Sequence, residues 1–253
     1  MYQEERLAAI IEHLNKHKRV SVQDVCELYG VSRDTARRDL VRLEEQGLIL
    51  RTRGGAILPP QHKSLPKYTE RLQMAHEGKR RIAALASTLV KDGDHLMMDA
   101  STTVLFTAEH LKTEQHVLVT NSIDIAGSFA SGGRNTVHLL GGMYEPEHRY
   151  VYGHRTIEML GKYHVDKAIL GTCGIGPQGL TTYTEEESYL LRSMMKQSKQ
   201  VIVVADHSKF HVRLFMHVAA WHEIDILVTD QQPDAELALI LAENEVEVLV
   251  AIP

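Results

Sequence analysis

Cysteine is scarce in this chain: Cys26 and Cys173 are the only two in 253 residues, and they lie far apart. No CxxC or Cys/His spacing can be built from them, whereas a structural zinc site takes about four such ligands. Two scattered thiols exclude a disulfide framework and read as reduced side chains of a cytosolic protein. Histidine is plentiful at fifteen, yet no HExxH occurs, so neither metal nor cofactor is expected. Long apolar runs are missing too, since nothing approaches the ~18 residues that a membrane span requires. The opening MYQEERLAAI is acidic and amphipathic, unlike a signal peptide, and a cytoplasmic location is expected. Positive charge is not in excess either: the formal charge is −5. A nucleic-acid-binding surface, if there is one, has to be local.

What remains is of globular type, with 43% apolar and 24% charged residues. The length suits one large domain or two ordinary ones, domains clustering near ~100–150 residues. Leu7, Ile10, Ile11 and Leu14 have the spacing of an amphipathic helix over residues 2–16. Ser21 is placed to cap a second helix with Val22, Val25, Cys26 and Leu28-Tyr29 on its apolar face. Gly30 ends it, and Ser32 caps a third helix that runs to about Gln46, with Ala36, Leu40 and Leu43 inward and Gly47 as its stop. Leu48 to Ala56 then alternates loosely and turns on Gly54-Gly55, as a short hairpin would. Three helices and a hairpin are the plan of a winged helix-turn-helix, predicted for residues 1–57.

Pro59, Pro60 and Pro66 place a linker at 58–75. From 76 to 253 the texture changes. Strand-like runs at 95–99, 116–120, 137–140, 167–171, 201–205, 224–229 and 246–252 alternate with helical stretches near 78–90, 102–112, 185–198 and 233–243. That alternation predicts an α/β domain with a mainly parallel sheet covered by helices on both faces.

The third helix carries the first functional constellation. With its apolar residues buried, Arg33, Asp34, Arg37, Arg38 and Arg42 project outward, and a helix of this width fits the DNA major groove. Arg33 and Asp34 are assigned to base readout, and Arg37, Arg38 and Arg42 to phosphates, which position without reading sequence. Ser32 and Thr35 add neutral contacts, and Arg51 and Arg53 on the wing would meet the adjacent backbone or minor groove. The plainer alternative is a solvated face in which Arg37 and Arg38 pair with Asp34 and Asp39. Residues 31–56 hold six Arg against four acids, an excess of two, so charge alone does not decide. The order of turn, cap, helix and Gly-Gly hairpin favours double-stranded operator DNA as partner.

The stretches Val20-Ser21-Val22, Tyr29 to Leu40, Leu43 to Leu48 and Arg53-Gly54-Gly55-Ala56 resemble the N-terminal signature of DeoR-type sugar-metabolism repressors. The chain departs from that pattern at Ala36, where the family usually has Ile, and at Arg53, where it often has His. Neither change removes a hydrogen-bond donor that DNA would need.

The second constellation lies just after the predicted strands. Asp99-Ala100-Ser101-Thr102-Thr103 follows the first and opens a helix, and hydroxyls with backbone N–H groups at a helix N-terminus cradle anions. Thr120-Asn121-Ser122 follows the second strand, Gly141-Gly142 the third, and Gly171-Thr172-Cys173-Gly174 the fourth. In an open α/β sheet ligands bind outside the carboxyl ends of the strands, where these loops gather. Lys209 could bring a cation to the same crevice, and Asp99, Glu186 and Glu187 could take sugar hydroxyls. This chemistry suits a phosphorylated sugar.

The resemblance continues through Lys79 with Ile82, Asp99 to Thr103, Val119 to Ser122, Gly141-Gly142, Gly171 to Ile175, Glu186-Glu187 and Asp206 to Phe210. It therefore covers nearly the whole chain. It implies an effector domain similar in fold to ribose 5-phosphate isomerase, Lys79 among its effector-binding residues, phosphorylated sugars as effectors, and repression relieved by ligand. Ala100-Ser101 stands where a Gly is common, and Cys173 where Asp is common, so the effector is not carried over from any relative. Two rival readings are an isomerase-like enzyme using Glu186 or Glu187 as base beside Lys209, and a winged helix used only for protein contacts. A DNA-reading module argues against the enzyme, and pairing of half-sites implies a homodimer or homotetramer.

Overall fold

The computed structural model describes residues 2–45, 48–57, 65–74, 76–130 and 134–252. The chain divides into two units, Met1–His62 and Lys63–Pro253.

The first unit contains α1 (Gln3–His17), β1 (Arg19–Ser21), α2 (Val22–Tyr29), α3 (Arg33–Glu45), β2 (Leu50–Thr52) and β3 (Gly55–Ile57). Leu7, Ile10 and Leu14 of α1 meet Val25, Ala36, Leu40, Leu43 and Ile49 in one small core. Ser21 starts α2 through a reciprocal cap, its hydroxyl accepting from the Asp24 N–H while the Asp24 carboxylate accepts from the Ser21 N–H. Gly30 closes α2 in the left-handed region at φ 65°. Gly55 is required by proximity, since a Cβ there would lie 2.0 Å from the Val20 carbonyl oxygen of β1.

Two features of this unit differ from expectation. β1 pairs antiparallel with β3, so the wing is a three-stranded sheet of order β1-β3-β2. A three-residue strand is too short to show a two-residue period. Leu28 is 53% exposed, because Tyr29 is the residue of that last turn that packs on the core. The expected helix end at Gln46 and stop at Gly47 fall outside the described residues.

The second unit begins with α4 (Tyr68–Gln73), α5 (His76–Ser87), β4 (His95–Met98), α6 (Thr102–His110), β5 (Val117–Thr120), α7 (Ile123–Ala130) and β6 (Thr136–Leu139). A hairpin of β7 (Met143–Glu145) and β8 (Tyr150–Tyr152) follows, then α8 (His154–Leu160) and β9 (Val165–Gly171). The rest is β10 (Gly174–Gly176), β11 (Gly179–Thr182), α9 (Glu185–Lys196), β12 (Ser198–Val204), β13 (Met216–Ala219), β14 (Ile226–Thr229), α10 (Ala235–Glu243) and β15 (Glu247–Val250).

Seven of these strands form one sheet of order β15-β14-β12-β9-β4-β5-β6, with every neighbouring pair parallel. Successive strand residues feed opposite faces. Met97, Val119 and Leu170 join one core with Leu160, Leu190, Met194 and Leu237 of α8, α9 and α10. Leu96, Met98, Leu118 and Ile169 join the other with Ile82, Val104 and Ile125 of α5, α6 and α7. Burial on both faces is why these strands read as continuous apolar runs.

The strand order fixes where a ligand can sit. The chain lays down β4, β5 and β6 in one direction, then returns to place β9, β12, β14 and β15 on the other side of β4. Connections therefore leave β4 and β9 in opposite directions, which opens a crevice at their carboxyl ends.

Between the main strands the structure adds what patterning did not predict. β10, β11 and β13 make a small antiparallel sheet. α7 and α8, of eight and seven residues, are too short for a clear helical period. α4 lies inside the stretch expected to be linker, and its Tyr68 is only 2% exposed, seated in the core beneath α5 and α6. Pro66 precedes the helix, where a missing N–H costs nothing. The prolines at 59 and 60 are outside the described residues.

Candidate effector crevice and candidate DNA interface

In α3, Ala36, Leu40, Leu43 and Asp39 are buried, while Arg33, Asp34, Arg37, Arg38 and Arg42 are exposed. Ser32 caps the helix, accepting from the Thr35 N–H at 3.2 Å, and the two hydroxyls bond each other at 2.9 Å. The solvated-face alternative needed Asp39 as a partner for Arg37 or Arg38. Asp39 is instead held by Arg6 of α1, with Nε–Oδ2 2.6 Å and Nη2–Oδ1 3.2 Å, and by the Gln3 amide at 3.1 Å. Among the described residues Arg33, Arg37 and Arg38 form no ion pair, so three guanidinium groups stand free on the outer face. Arg42 donates to the Gln3 amide oxygen at 2.7 Å. On the wing, Arg51 lies 3.9 Å from Glu44, and Arg53 is exposed in the turn.

At the switch point between β4 and β9 a crevice is lined by Asp99, Ala100 and Ser101 on one side and Gly171, Thr172 and Cys173 on the other. Asn121, Tyr150 of β8, Glu187 of α9 and Arg71 of α4 complete its polar wall, with Leu65, Leu190 and Leu191 as the apolar part. Six residues singled out from sequence thus come together: Asp99, Ser101, Asn121, Gly171, Thr172 and Glu187.

The others stand elsewhere. Thr102 and Thr103 are buried in the first turn of α6, where the Thr103 N–H donates to Ser101 Oγ at 3.3 Å. The Thr120 hydroxyl donates to the Met98 carbonyl at 2.7 Å and ties β5 to β4. Ser122 accepts from the Ile125 N–H at 3.2 Å and so caps α7. Gly141 and Gly142 follow the edge strand β6, and a Cβ at Gly142 would lie 2.3 Å from Thr156 Oγ1. Gly174 serves a similar close approach in β10, 2.5 Å from the Val212 carbonyl oxygen. Glu186 is exposed. Lys79 is buried outside the crevice lining, and its ammonium donates to the Arg71 carbonyl oxygen. Lys209, in the turn after β12, is close enough for its charge to act on Cys173 and Lys79.

Arg71 escaped sequence reasoning because it was assigned to the linker. Its Nε is buried and, among the described residues, has no hydrogen-bond partner, as is true of the Asn121 Oδ1. Tyr68 and Leu72, four apart and both packed on the core, are the faint helical signal that could have revealed it.

Burial dominates the electrostatics. It pushes the Asp99 carboxyl up to about 7, although the Gly171 N–H donates to it at 2.9 Å. Burial raises Glu187 as well, against hydrogen bonds from the Thr182 hydroxyl and, at 3.8 Å, the Cys173 thiol. The Cys173 thiol is pushed far above its ordinary range, which makes it a poor nucleophile. Desolvation lowers the Lys79 ammonium to about 8. The crevice therefore offers donors, in the unpartnered Nε of Arg71 and a helix N-terminus, together with uncharged or weakly charged oxygens. An anion bearing hydroxyls matches both.

Asp99 makes a pH-dependent contribution whose sign follows from its shift. Its folded value of about 7 lies above the ~3.9 of an unfolded chain. Its stabilising effect is therefore complete below pH ~4 and is lost as pH rises towards 7. Relative to Asp99→Asn, which does not titrate there, the parent should lose effector-unit stability between pH 4 and 7, by at most about 4 kcal/mol. Calorimetric melting of both across that range checks this, and parallel curves would contradict it.

Two family models match the chain. One described as the DeoR C terminal sensor domain covers residues 74–231, and one described as the DeoR-like helix-turn-helix domain covers residues 6–62. Over 250 residues the chain is 48% identical to the HTH-type transcriptional repressor GlcR of Bacillus subtilis, covering 99% of this chain and 97% of that protein. It is 29% identical over 249 residues to the glycerol-3-phosphate regulon repressor of Escherichia coli, covering 98% of each. Among solved structures, the tetrameric eIF2B-beta2-delta2 complex from C. thermophilum shares the fold with a TM-score of 0.52 at 13% identity, covering 95% of this chain and 71% of that one. A D-ribose-5-phosphate isomerase in complex with phospho-erythronic acid matches with a TM-score of 0.40 at 14% identity, over 53% and 54% of the two chains.

Proposed function

The chain belongs to the DeoR family of transcriptional regulators, and from that premise we propose that it represses a carbohydrate-catabolism operon under control of a phosphorylated sugar or sugar derivative. The ligand occupies the crevice between the ends of β4 and β9. One observation carries this reading: the buried Nε of Arg71, without a hydrogen-bond partner among the described residues, in a crevice that the capped start of α6 also lines. A phosphate supplies the acceptors that a guanidinium edge and a helix N-terminus lack. The Escherichia coli relative takes its name from a phosphorylated polyol, which is in keeping with this choice.

The partner is operator DNA, read by two or more copies over paired half-sites. Among the described residues no helix is long and apolar enough to cross a membrane, in keeping with a cytoplasmic regulator. The regulator reading is preferred to the isomerase one because the relatives matched over nearly the whole chain are named transcriptional repressors.

A thermal-shift screen of sugar phosphates against the full chain tests the ligand class, because a selective ligand raises stability by mass action. No stabilisation by any phosphorylated compound would count against it. For the DNA interface, Arg37→Ala is expected to weaken binding to all sequences alike and to lower the log–log salt slope by about 1. Arg33→Ala should instead cost about 1–3 kcal/mol of discrimination at a single base pair. Binding isotherms at several salt concentrations on operator and scrambled duplexes separate the two, and identical behaviour of the variants would refute the assignment.

A further inference from the structure

The free space in the crevice is about 40 Å³. A cavity that admits benzene measures about 150 Å³, and any sugar phosphate is larger than benzene. An effector can enter only if part of the wall gives way. Most of the wall is built into the unit. Asp99 to Ser101 and Gly171 to Cys173 stand at the ends of the inner strands β4 and β9, and Leu190 and Leu191 of α9 are buried in the core. Tyr150 is paired within the β7–β8 hairpin. Leu65 differs: it lies outside every helix and strand, and among the described residues neither Leu65 nor Pro66 forms a main-chain hydrogen bond with the rest of the unit. The first main-chain tie comes at Tyr68, whose N–H donates to the Glu147 carbonyl at 3.1 Å, beside the Lys67–Glu147 ion pair, also 3.1 Å. Pro66 has a fixed φ and keeps Leu65 extended, so the leucine leaves the crevice most readily when the chain before that tie swings as a piece. That chain leads to the first unit, which ends at His62.

We propose that Leu65 is a latch on the linker: it occupies part of the place that an effector takes, and the effector displaces it. A leucine in this crevice satisfies neither the unpartnered Nε of Arg71 nor the start of α6, whereas a phosphate accepts from both. Exchanging one for the other is therefore favourable. Displacement moves the first fixed point of the described chain from Leu65 back to Lys67 and Tyr68. That lengthens the tether to the winged helix and loosens its placement on paired half-sites. The effector thus shifts the population from latched to released chains, and operator affinity falls with it. The identity of the displacing ligand rests on the sugar-phosphate reading, but the latch itself is tested without ligand.

Leu65→Ala in the full chain empties the seat with no ligand present. It should weaken operator binding about fivefold in an anisotropy titration, the loss expected for a half-buried leucine, with melting of the effector unit little changed. Inserting about six Gly/Ser residues between Lys63 and Ser64 leaves the seat in place and cuts its connection to the first unit. In that background Leu65→Ala should no longer alter operator affinity. Displacement is read separately, in a full chain carrying Cys26→Ser, Cys173→Ser and Leu65→Cys. Iodoacetamide should label the new thiol several-fold faster when glycerol 3-phosphate or inorganic phosphate is added. Unchanged operator affinity in Leu65→Ala overturns the proposal, and so does an equal loss in the chain with the insertion. Slower labelling with either probe also overturns it, because residue 65 then closes over the ligand. If labelling ignores both probes while the operator titrations come out as expected, the latch is upheld and the sugar-phosphate reading loses its support.

Discussion

Arg71→Met is expected to leave operator binding as it is in the parent while reducing affinity for a sugar-phosphate effector by about 100-fold. A guanidinium bonded to a phosphate in a partly dry crevice is a charge-assisted pair, and its loss costs about 2–3 kcal/mol. Methionine keeps the stem that packs near Tyr68, whose ring lies 5.5 Å from the Arg71 guanidinium carbon. The main chain stays anchored, because Lys79 bonds to the Arg71 carbonyl and not to its side chain. Arg71→Lys should recover part of the loss, since a point charge restores attraction without the planar fork. Titration calorimetry with the effector and anisotropy on operator DNA check the two halves. Loss of both together would mean that α4 acts through folding.

The second large effect lies in the other unit. Asp39→Ala is expected to destabilise the winged helix by about 3 kcal/mol, because it leaves the Arg6 guanidinium buried without its carboxylate. For a unit of about 60 residues that is about a third or more of a typical total stability. Operator binding then fails although Asp39 touches no DNA. Replacing both partners, as Arg6→Met with Asp39→Leu, should recover most of the stability, since the destabilising element is a buried guanidinium that has lost its carboxylate. Calorimetry should show the loss in a transition separate from that of the effector unit. A single substitution without effect on melting would show that the pair is solvated.

The contrast between these two residues and those read from sequence shows what was legible. All seven strands of the parallel sheet were visible as apolar runs: the five inner ones are buried on both faces, and the edge strands β6 and β15, although partly exposed, still carry Val137, Leu139, Val248 and Val250. The outward arginines of α3 were visible because Ala36, Leu40 and Leu43 fix which side faces the core. Spatial order was not. Gly141-Gly142 and Gly171-Thr172 look alike as small residues after a strand, yet β6 is an edge and β9 lies at the reversal of strand order. Thr120 reads as a ligand hydroxyl and is spent on the Met98 carbonyl. Arg6 and Asp39 lie thirty-three residues apart, beyond any local pattern. Arg71 sits on a six-residue helix, too short to show a period and preceded by a proline.

The most direct test of a phosphate-reading sensor on a DNA-binding regulator is an anisotropy titration of the full chain on its operator. It should be run with a stabilising sugar phosphate, with the same sugar lacking phosphate, and with neither. The expected result is that only the phosphorylated compound moves the midpoint, and that Arg71→Met abolishes the shift. An equal shift from the unphosphorylated sugar, or a phosphorylated ligand that binds tightly and leaves the midpoint where it was, would contradict it.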